Sequence, residues 1–238
     1  MKVGVFIPCC VDQFSASTAF NLISILQKIG LDVYYPKKQT CCGRIAANEG
    51  DEAFSKNLAE SFLDDFADYD CIVGCSSSCT TYVRANYPKL VNNPGISMYV
   101  KRIYDLTEFL VNVMNIVDLD SYFPYKVLYL DDVKSYNDCG LYSEPRALLQ
   151  NVKGLDLVQT SGGDFDFSFD ESFASNFEPI QSEMARMKLQ SALEAGAEYI
   201  TSTDFATLLY LQSYINKNKS KYPISCKHIV DILATNEQ

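Results

Sequence analysis

The chain is poor in basic side chains. Over 238 residues, 20 Lys and Arg face 30 Asp and Glu, for a formal net charge of −10. No cationic surplus is available to neutralise a phosphate backbone or an anionic bilayer, so nucleic acid is not an expected partner. Histidine occurs once, as His228 in "KHIVDIL" at the start of an expected terminal helix, where capping or packing is its natural role. A Ser-His-Asp or Cys-His arrangement therefore lacks its usual base. No apolar run approaches the roughly 18–20 residues that cross a bilayer, which leaves no direct membrane insertion and makes any association depend on partners at the inner face. The order G-x-x-x-x-G-K-[ST] is missing as well: "SGGDFDFSFDES" carries glycines and acids but no Lys for phosphate, and reads as a solvated loop. Its alternating Phe165, Phe167 and Phe169 are suited to cover a neighbouring site or to meet a partner.

What is present is a 47% apolar content, enough for a sizeable core in one large domain or two small ones built alike. The opening "MKVGVFIPCCV" superficially resembles a signal peptide, but one Lys and a short apolar run without an A-x-A site fit a first β-strand better, and a cytoplasmic location is expected. Of nine cysteines, Cys9, Cys10, Cys41, Cys42, Cys71, Cys75 and Cys79 lie in the first third, and only Cys139 and Cys226 follow. A disulfide framework would tie down the whole of a small secreted domain, whereas thiols clustered in one part of an intracellular chain point to metal or redox chemistry. They are too widely spaced for a zinc ribbon of two local C-x2-C knuckles, so the ligands would converge from separate loops.

Alternation and helical spacing show how they would converge. "KVGVFIP", "LDVYYP" and "DCIVGC" read as strands, separated by helices over "STAFNLISILQKIG" and "EAFSKNLAESFLDDFADY", and Cys9, Cys42 and Cys79 follow the strand ends. In a parallel, helix-covered sheet those ends share one edge, where sites form in α/β folds. The second half repeats the first: "KVGVFIP" matches "KVLYLDD", "IGLDVYYPKKQTCCG" matches "VKGLDLVQTSGG", and "DYDCIVGCSSSCTTYV" matches "AEYITSTDFATLLYL". The expected fold is α/β, a tandem pair of similar Rossmann-like units over 1–120 and 121–238, packed as one compact body and joined by a helix over "YVKRIYDLTEFLVNVM". The positions of Cys9, Cys41, Cys42 and Cys79 become Val133, Ser161, Gly162 and Thr207 in the second unit, which keeps the scaffold without the thiols. No soft metal is expected there; side chains, Phe205 foremost, should fill the space.

The other cysteines have plainer readings. Cys71 suits the core, Cys139 and Cys226 are isolated and structural, and Cys10, following Cys9 on an extended segment, would face away from it. Cys75, four residues before Cys79, is the fifth ligand candidate. Gly43 allows close backbone approach or simply makes a turn. The carboxylates Asp12 and Glu49 lie near the cysteine loops without marks of an acid–base pair.

The segments "MKVGVFIPCCVDQF", "TCCGRIAANEG", "SSSCTTYVR", "DLTEFLVNVM", "SEPRALLQNVKGLD", "EAGAEYI" and "KHIVDIL" resemble, in order and over nearly the whole length, the cysteine-rich CCG-domain family, in its lactate-utilisation protein A branch. The resemblance implies a tandem α/β fold with cysteine-rich sites for iron–sulfur clusters. It also implies membership of an L-lactate-oxidising system, an L-lactate dehydrogenase complex that forms pyruvate, beside a ferredoxin-like iron–sulfur subunit and a further small subunit. By matching position, the ligands of the first site would be Cys9, Cys41, Cys42 and Cys79, holding one iron–sulfur cluster of the 4Fe-4S type. The second site departs from the family pattern. Four thiolates match a cluster's demand, and they would also hold zinc, which keeps a zinc-binding or structural interaction subunit as the alternative. A thiol-redox protein is disfavoured because adjacent cysteines differ from C-x-x-C.

Overall fold

The computed structural model describes residues 1–160, 177–218 and 220–236. Ser161, Gly162, Phe165, Phe167 and Phe169 lie outside the described residues. In the first half, strand β1 (Lys2–Phe6) leads into helices α1 (Cys9–Phe14) and α2 (Ala16–Lys28), then β2 (Asp32–Tyr34), α3 (Arg44–Asn48), α4 (Glu52–Asp65), β3 (Cys71–Gly74), α5 (Ser77–Leu90), α6 (Ile96–Tyr99), β4 (Ile103–Asp105) and α7 (Leu106–Glu108). The second half runs β5 (Lys126–Tyr129), α8 (Val133–Cys139), α9 (Ser143–Gln150), β6 (Asp156–Val158), α10 (Glu178–Glu194), β7 (Tyr199–Thr201), α11 (Phe205–Lys217), β8 (Ser225–Cys226) and α12 (Ile229–Leu233). Two four-stranded sheets result, ordered β2-β1-β3-β4 and β6-β5-β7-β8. Every pairing in both is parallel.

The register makes the repeat explicit. Val3 lies opposite Cys71 in the first sheet and Val127 opposite Tyr199 in the second, so residues counted from those strands correspond. Cys9 then matches Val133, Cys79 matches Thr207, and Ser76 matches Asp204. Local signals are followed closely. Leu22, Ile25 and Leu26 give α2 its buried stripe, and Gly30 ends it at φ +83, with its N–H donating to the Gln27 carbonyl.

Strand alternation sorts the apolar residues into layers. Val3, Val5 and Val73 from the first sheet and Val127 and Tyr129 from the second share one central core with Leu106, Phe109, Phe205 and Ile229. Phe6, Phe62, Phe66, Ile72 and Tyr87 form a second cluster with Cys42 and Cys79, while Leu128, Leu189, Ile200 and Leu211 form a third in the second half.

Two local expectations are corrected. The segment "YVKRIYDLTEFLVNVM" is not one joining helix: a 3-10 turn at Val100–Arg102 precedes β4, and the helix begins only at Leu106 before widening into a π turn at Phe109–Val113. Pairing of Ile103 with Ile72 at the sheet edge, with Ile103 fully buried, outweighs helical propensity there. Cys10 is not on an extended segment either, because Pro8 takes the N-cap position with φ −60 and starts α1 at Cys9. Cys10 is thus one helical step round from Cys9, half-buried against the central core.

The two halves meet through the carboxyl edges of their sheets. Helix α5 packs on α8, and α1 packs on α11, the same pair of surfaces with the halves exchanged. The run Ser76-Ser77-Ser78 at the start of α5 reaches across: Ser76 and Ser78 hydroxyls donate to Asp204 Oδ1 at 3.2 and 2.6 Å, and the Ser77 hydroxyl donates to Asp132 Oδ2 at 3.0 Å. The Ser77 N–H donates to the Thr203 carbonyl at 3.0 Å. Asp204 also caps α11, accepting from the Thr207 N–H and hydroxyl. Replacing Asp204 by Ala leaves several buried donors without an acceptor, and urea denaturation should show a loss of about 3 kcal/mol, with Asp204→Asn losing less. A loss below about 1 kcal/mol for the Ala variant would remove this network from the account of stability.

Candidate functional site

Three loops from the first half bring four thiols together. Cys9 opens α1 beyond β1, Cys41 and Cys42 precede α3, and Cys79 lies in the first turn of α5 beyond β3. The Cys9 and Cys41 sulfurs are 3.6 Å apart. Cys42 is hydrogen-bonded through its thiol to Cys41 on one side and Cys79 on the other, so the sulfurs form a string Cys9–Cys41–Cys42–Cys79. Among the described residues, no group of three or more His, Cys, Asp or Glu side chains is placed to hold a metal ion. The sulfurs are strung out rather than closed around one point.

The loop that carries the pair is fixed by partners on every side. Gln39 accepts from the Ile7 N–H at 2.8 Å and donates to the Val5 carbonyl at 3.2 Å, fastening the loop to the end of β1. The Tyr87 hydroxyl donates to the Cys42 carbonyl at 3.0 Å, and the Gly43 N–H points at Cys41 Sγ at 3.5 Å. Gly43 has φ +87, and a Cβ there would stand 3.0 Å from Ser55 Oγ and 3.2 Å from the Ser55 carbonyl. The turn reading of this glycine holds, since it adopts the left-handed conformation, and the close approach it allows is to Ser55 of α4.

The thiols differ in acidity. Hydrogen bonds from Cys42 and Cys9, the Gly43 N–H and the Arg44 cation lower the Cys41 pKa despite partial burial. The bond to Cys41 and burial push Cys9 up, and bonds to Cys41 and Cys79 together with full burial push Cys42 up.

The remaining candidates are distributed elsewhere. Cys75 is fully buried in the central core with Val11, Val73 and Leu106, on the opposite side of β3 from Ile72 and the cluster that contains Cys42 and Cys79. Burial first, then the Asp105 charge, raises its pKa. Cys71 is half-buried at the start of β3, its sulfur 3.7 Å from that of Met1, and is less enclosed than a core position. Cys139 and Cys226 are half-buried in the second half, with burial raising Cys226 to about 12. Asp12 and Glu49 are exposed. His228 caps α12: its Nδ1 accepts from the Val230 N–H, and its Nε2 donates to the Thr203 carbonyl, both at 3.3 Å. Burial lowers its pKa, consistent with a neutral ring. In the second half Phe205 is buried in the central core, 6.0 Å from the His228 ring, and Thr207 is engaged with Asp204.

Sequence reasoning passed over Gln39, Tyr87, Arg44 and the carboxyl pair Asp132 and Asp204. A signal existed for the first, since "QTCCG" returns as "QTSGG" with Gln159. None existed for Asp132 and Asp204, whose partners are 55 and 126 or more residues away in the chain.

The cysteine-rich domain family (CCG) matches residues 3–84, a span that includes all four strung thiols. The chain is 30% identical over 244 residues to lactate utilization protein A of Oceanobacillus iheyensis, covering 100% of this chain and 98% of that one. It is 29% identical over 239 residues to the protein of that name from an Exiguobacterium species, at 98% and 96% coverage, and 28% identical over 238 residues to that of Bacillus subtilis, at 98% and 99%. A hypothetical protein from Helicobacter pylori shares the fold, with a TM-score of 0.59 at 12% identity, covering all of this chain and 49% of that one. The chain thus spans about half the length of that solved structure. Among the described residues no helix is long and apolar enough to cross a membrane.

Asp105 supplies a pH test of the edge on which the site is built. Its carboxyl, at the end of β4, accepts from the Thr107 N–H at 2.8 Å and hydroxyl at 2.6 Å, yet full burial, aided by Glu108 and Asp132, raises its pKa from 3.8 to about 7. The native chain keeps a proton that the unfolded chain releases, so the stability from this group is complete below the unfolded value and is lost as pH rises through about 7. Asp105→Asn keeps the acceptor. Its stability relative to the wild type should rise between about pH 4 and pH 7, by on the order of 1–3 kcal/mol, in parallel denaturation curves. A pH-independent difference would contradict the assignment.

Proposed function

We propose, for a chain that belongs to the lactate utilization protein A family of cysteine-rich proteins, that it is the iron–sulfur electron-transfer subunit of a multi-subunit system oxidising L-lactate to pyruvate. The observation that carries the reading is the string of four thiols from three separate loops. Its donors are all sulfur, hydrogen bonds lower the pKa of Cys41, and a backbone N–H is aimed at that sulfur, which suits an iron–sulfur cluster. Cys9, Cys41, Cys42 and Cys79 would hold it. When bound, such a cluster supplies one-electron transfer, whereas lactate oxidation releases a pair of electrons and two protons, so a ferredoxin-like iron–sulfur subunit and a further small subunit would share the remaining chemistry.

The chain's own residues shape that role. Gln39 and Tyr87 hold the paired cysteines at the sheet edge, and the Gly43 N–H and the Arg44 cation favour negative charge on Cys41. Phe6, Phe62 and Tyr87 pack in the cluster that holds Cys42 and Cys79, keeping water from one side of the site. Residues 1–120 form the site-bearing unit in this reading, and 121–238 a second unit whose matching positions have lost their thiols. Any residence at the inner face of a membrane would come through the partner subunits.

Iron, sulfide and zinc determination on anaerobically prepared protein tests the reading. About four irons and four sulfides per chain are expected, with a visible absorption band that disappears in Cys41→Ser and Cys42→Ser and persists in Cys226→Ser. A colourless protein with about one zinc per chain would replace it with the structural reading. A content near twice the expected iron, unchanged in the Cys41 and Cys42 variants, would place metal in the second half.

A further inference from the structure

A cavity of about 390 Å³ lies near the thiol string: none of the thiols lines it, but Arg44 and Tyr82, which line it, are within electrostatic reach of Cys41. Arg44 lines it two residues after Cys42, and Tyr82 lines it three residues after Cys79. Lys89 comes from the far end of α5, and Lys134 is contributed by α8 of the second half, so both units build the cavity. Glu52 is the single carboxylate among the lining residues. Three cations against one anion reverse the balance of a chain whose net charge is −10, and Arg44 is held there at only 7% exposure.

The second half contains a counterpart. Counting from the paired strands, Tyr82, Asn86, Lys89 and Leu90 correspond to Tyr210, Tyr214, Lys217 and Asn218, and these line a cavity of about 360 Å³. Among the described residues that line this second cavity, Lys217 is the cation and Glu178 the carboxylate. The hollow is a property of the duplicated scaffold, and among the described lining residues the first copy carries the larger positive charge.

We propose that the cavity near the thiols binds a small organic carboxylate, with Arg44, Lys89 and Lys134 receiving the carboxylate and the Asn86 side-chain oxygen accepting from a neighbouring hydroxyl. The Asn86 amide nitrogen donates to the Tyr82 carbonyl at 3.2 Å, and the Tyr82 hydroxyl is paired with Ser55. Its volume falls at the lower end of the range for small-molecule sites. The planar guanidinium of Arg44 suits a carboxylate's paired oxygens. A phosphate dianion is a poorer match, because Lys89 and Leu90 are the last residues of α5, whose terminal carbonyls present negative potential to the cavity, and Glu52 adds a further negative charge. Lys134 also meets Asp138 at 2.8 Å, an exposed pair that a bound anion would compete with at little cost. The inference rests on the proposed lactate-utilisation role only for its choice of probes.

The test is calorimetric titration of the full chain, prepared anaerobically, with L-lactate, pyruvate, the neutral lactamide and inorganic phosphate. Saturable binding of lactate or pyruvate, but not of lactamide, is expected. Lys89→Ser and Lys134→Ser, both at exposed positions, should each weaken it by about tenfold, with Lys217→Ser unchanged. Arg44→Gln should weaken it most and Arg44→Lys less. Three results would each overturn the proposal: no saturable binding of either carboxylate, binding insensitive to Lys89 and Lys134, or binding of phosphate in preference to both carboxylates. Iron content on the same samples separates the two readings: absent carboxylate binding with iron in place removes the cavity proposal alone, and retained binding without iron removes the cluster reading alone.

Discussion

Two buried carboxyl groups from the second half, Asp132 and Asp204, hold the serine run that leads directly into Cys79. Each sits just beyond a strand of the second sheet, and between them they accept from Ser76, Ser77, Ser78, Ser135 and Thr207. Carboxyl groups removed from water are costly unless their oxygens are fully engaged, and these are engaged across the joint between the halves. Separating the halves would strip both groups of partners at once. The place of Cys79 relative to Cys42 is therefore a property of the whole chain, even though the thiols all come from its first third.

That dependence explains why a half that lacks the strung thiols is kept in register with the one that has them. Asp204 stands where the first half has Ser76, so that pair of positions supplies a donor on one side and an acceptor on the other, whereas Asp132 stands where it has Pro8, which has no N–H to donate, and takes its cross-joint donor from Ser77 instead. Thr81 extends the pattern by donating to the Ser135 hydroxyl at 2.8 Å. A symmetric pair with serines on both sides would lack the carboxylates, and a pair with carboxylates on both sides would bring like charges together. Asymmetry in these few side chains turns two similar edges into a specific joint.

Much of this was legible in the sequence because it is local or periodic. The strands at Lys2–Phe6 and Lys126–Tyr129 and the helix ended by Gly30 follow from alternation, spacing and a glycine stop. The placing of Cys9, Cys41, Cys42 and Cys79 on loops at one sheet edge followed from parallel-sheet topology, which carries strand ends to one edge whatever their separation along the chain. The fourth strand at Ile103–Asp105 was hidden because three residues are too few to show alternation, and its neighbours read as helix. Cys10 was misread because Pro8 was taken as a strand end when it also serves as a helix start. The carboxylate joint was invisible for a different reason: a hydrogen bond between residues 126 positions apart leaves no periodic trace, and Asp204 in isolation looks like an ordinary helix cap.

The duplication also frames how the site and its neighbouring cavity are related. A scaffold made of two similar units offers each functional position twice, and the copies are free to diverge once one of them suffices. Here the divergence runs the same way at three kinds of position. Sulfur is present at Cys9 and Cys79 where the other half has Val133 and Thr207, three cations line the first cavity where, among the described residues, Lys217 lines the second, and the joint's carboxyl groups come from the half that lacks the strung thiols. Lys134 crosses the joint to complete the charged cavity, so it depends on the same carboxyl groups that place Cys79. The first half thus carries the strung thiols and most of the cavity's cations, and the second supplies the carboxyl groups that hold the start of α5.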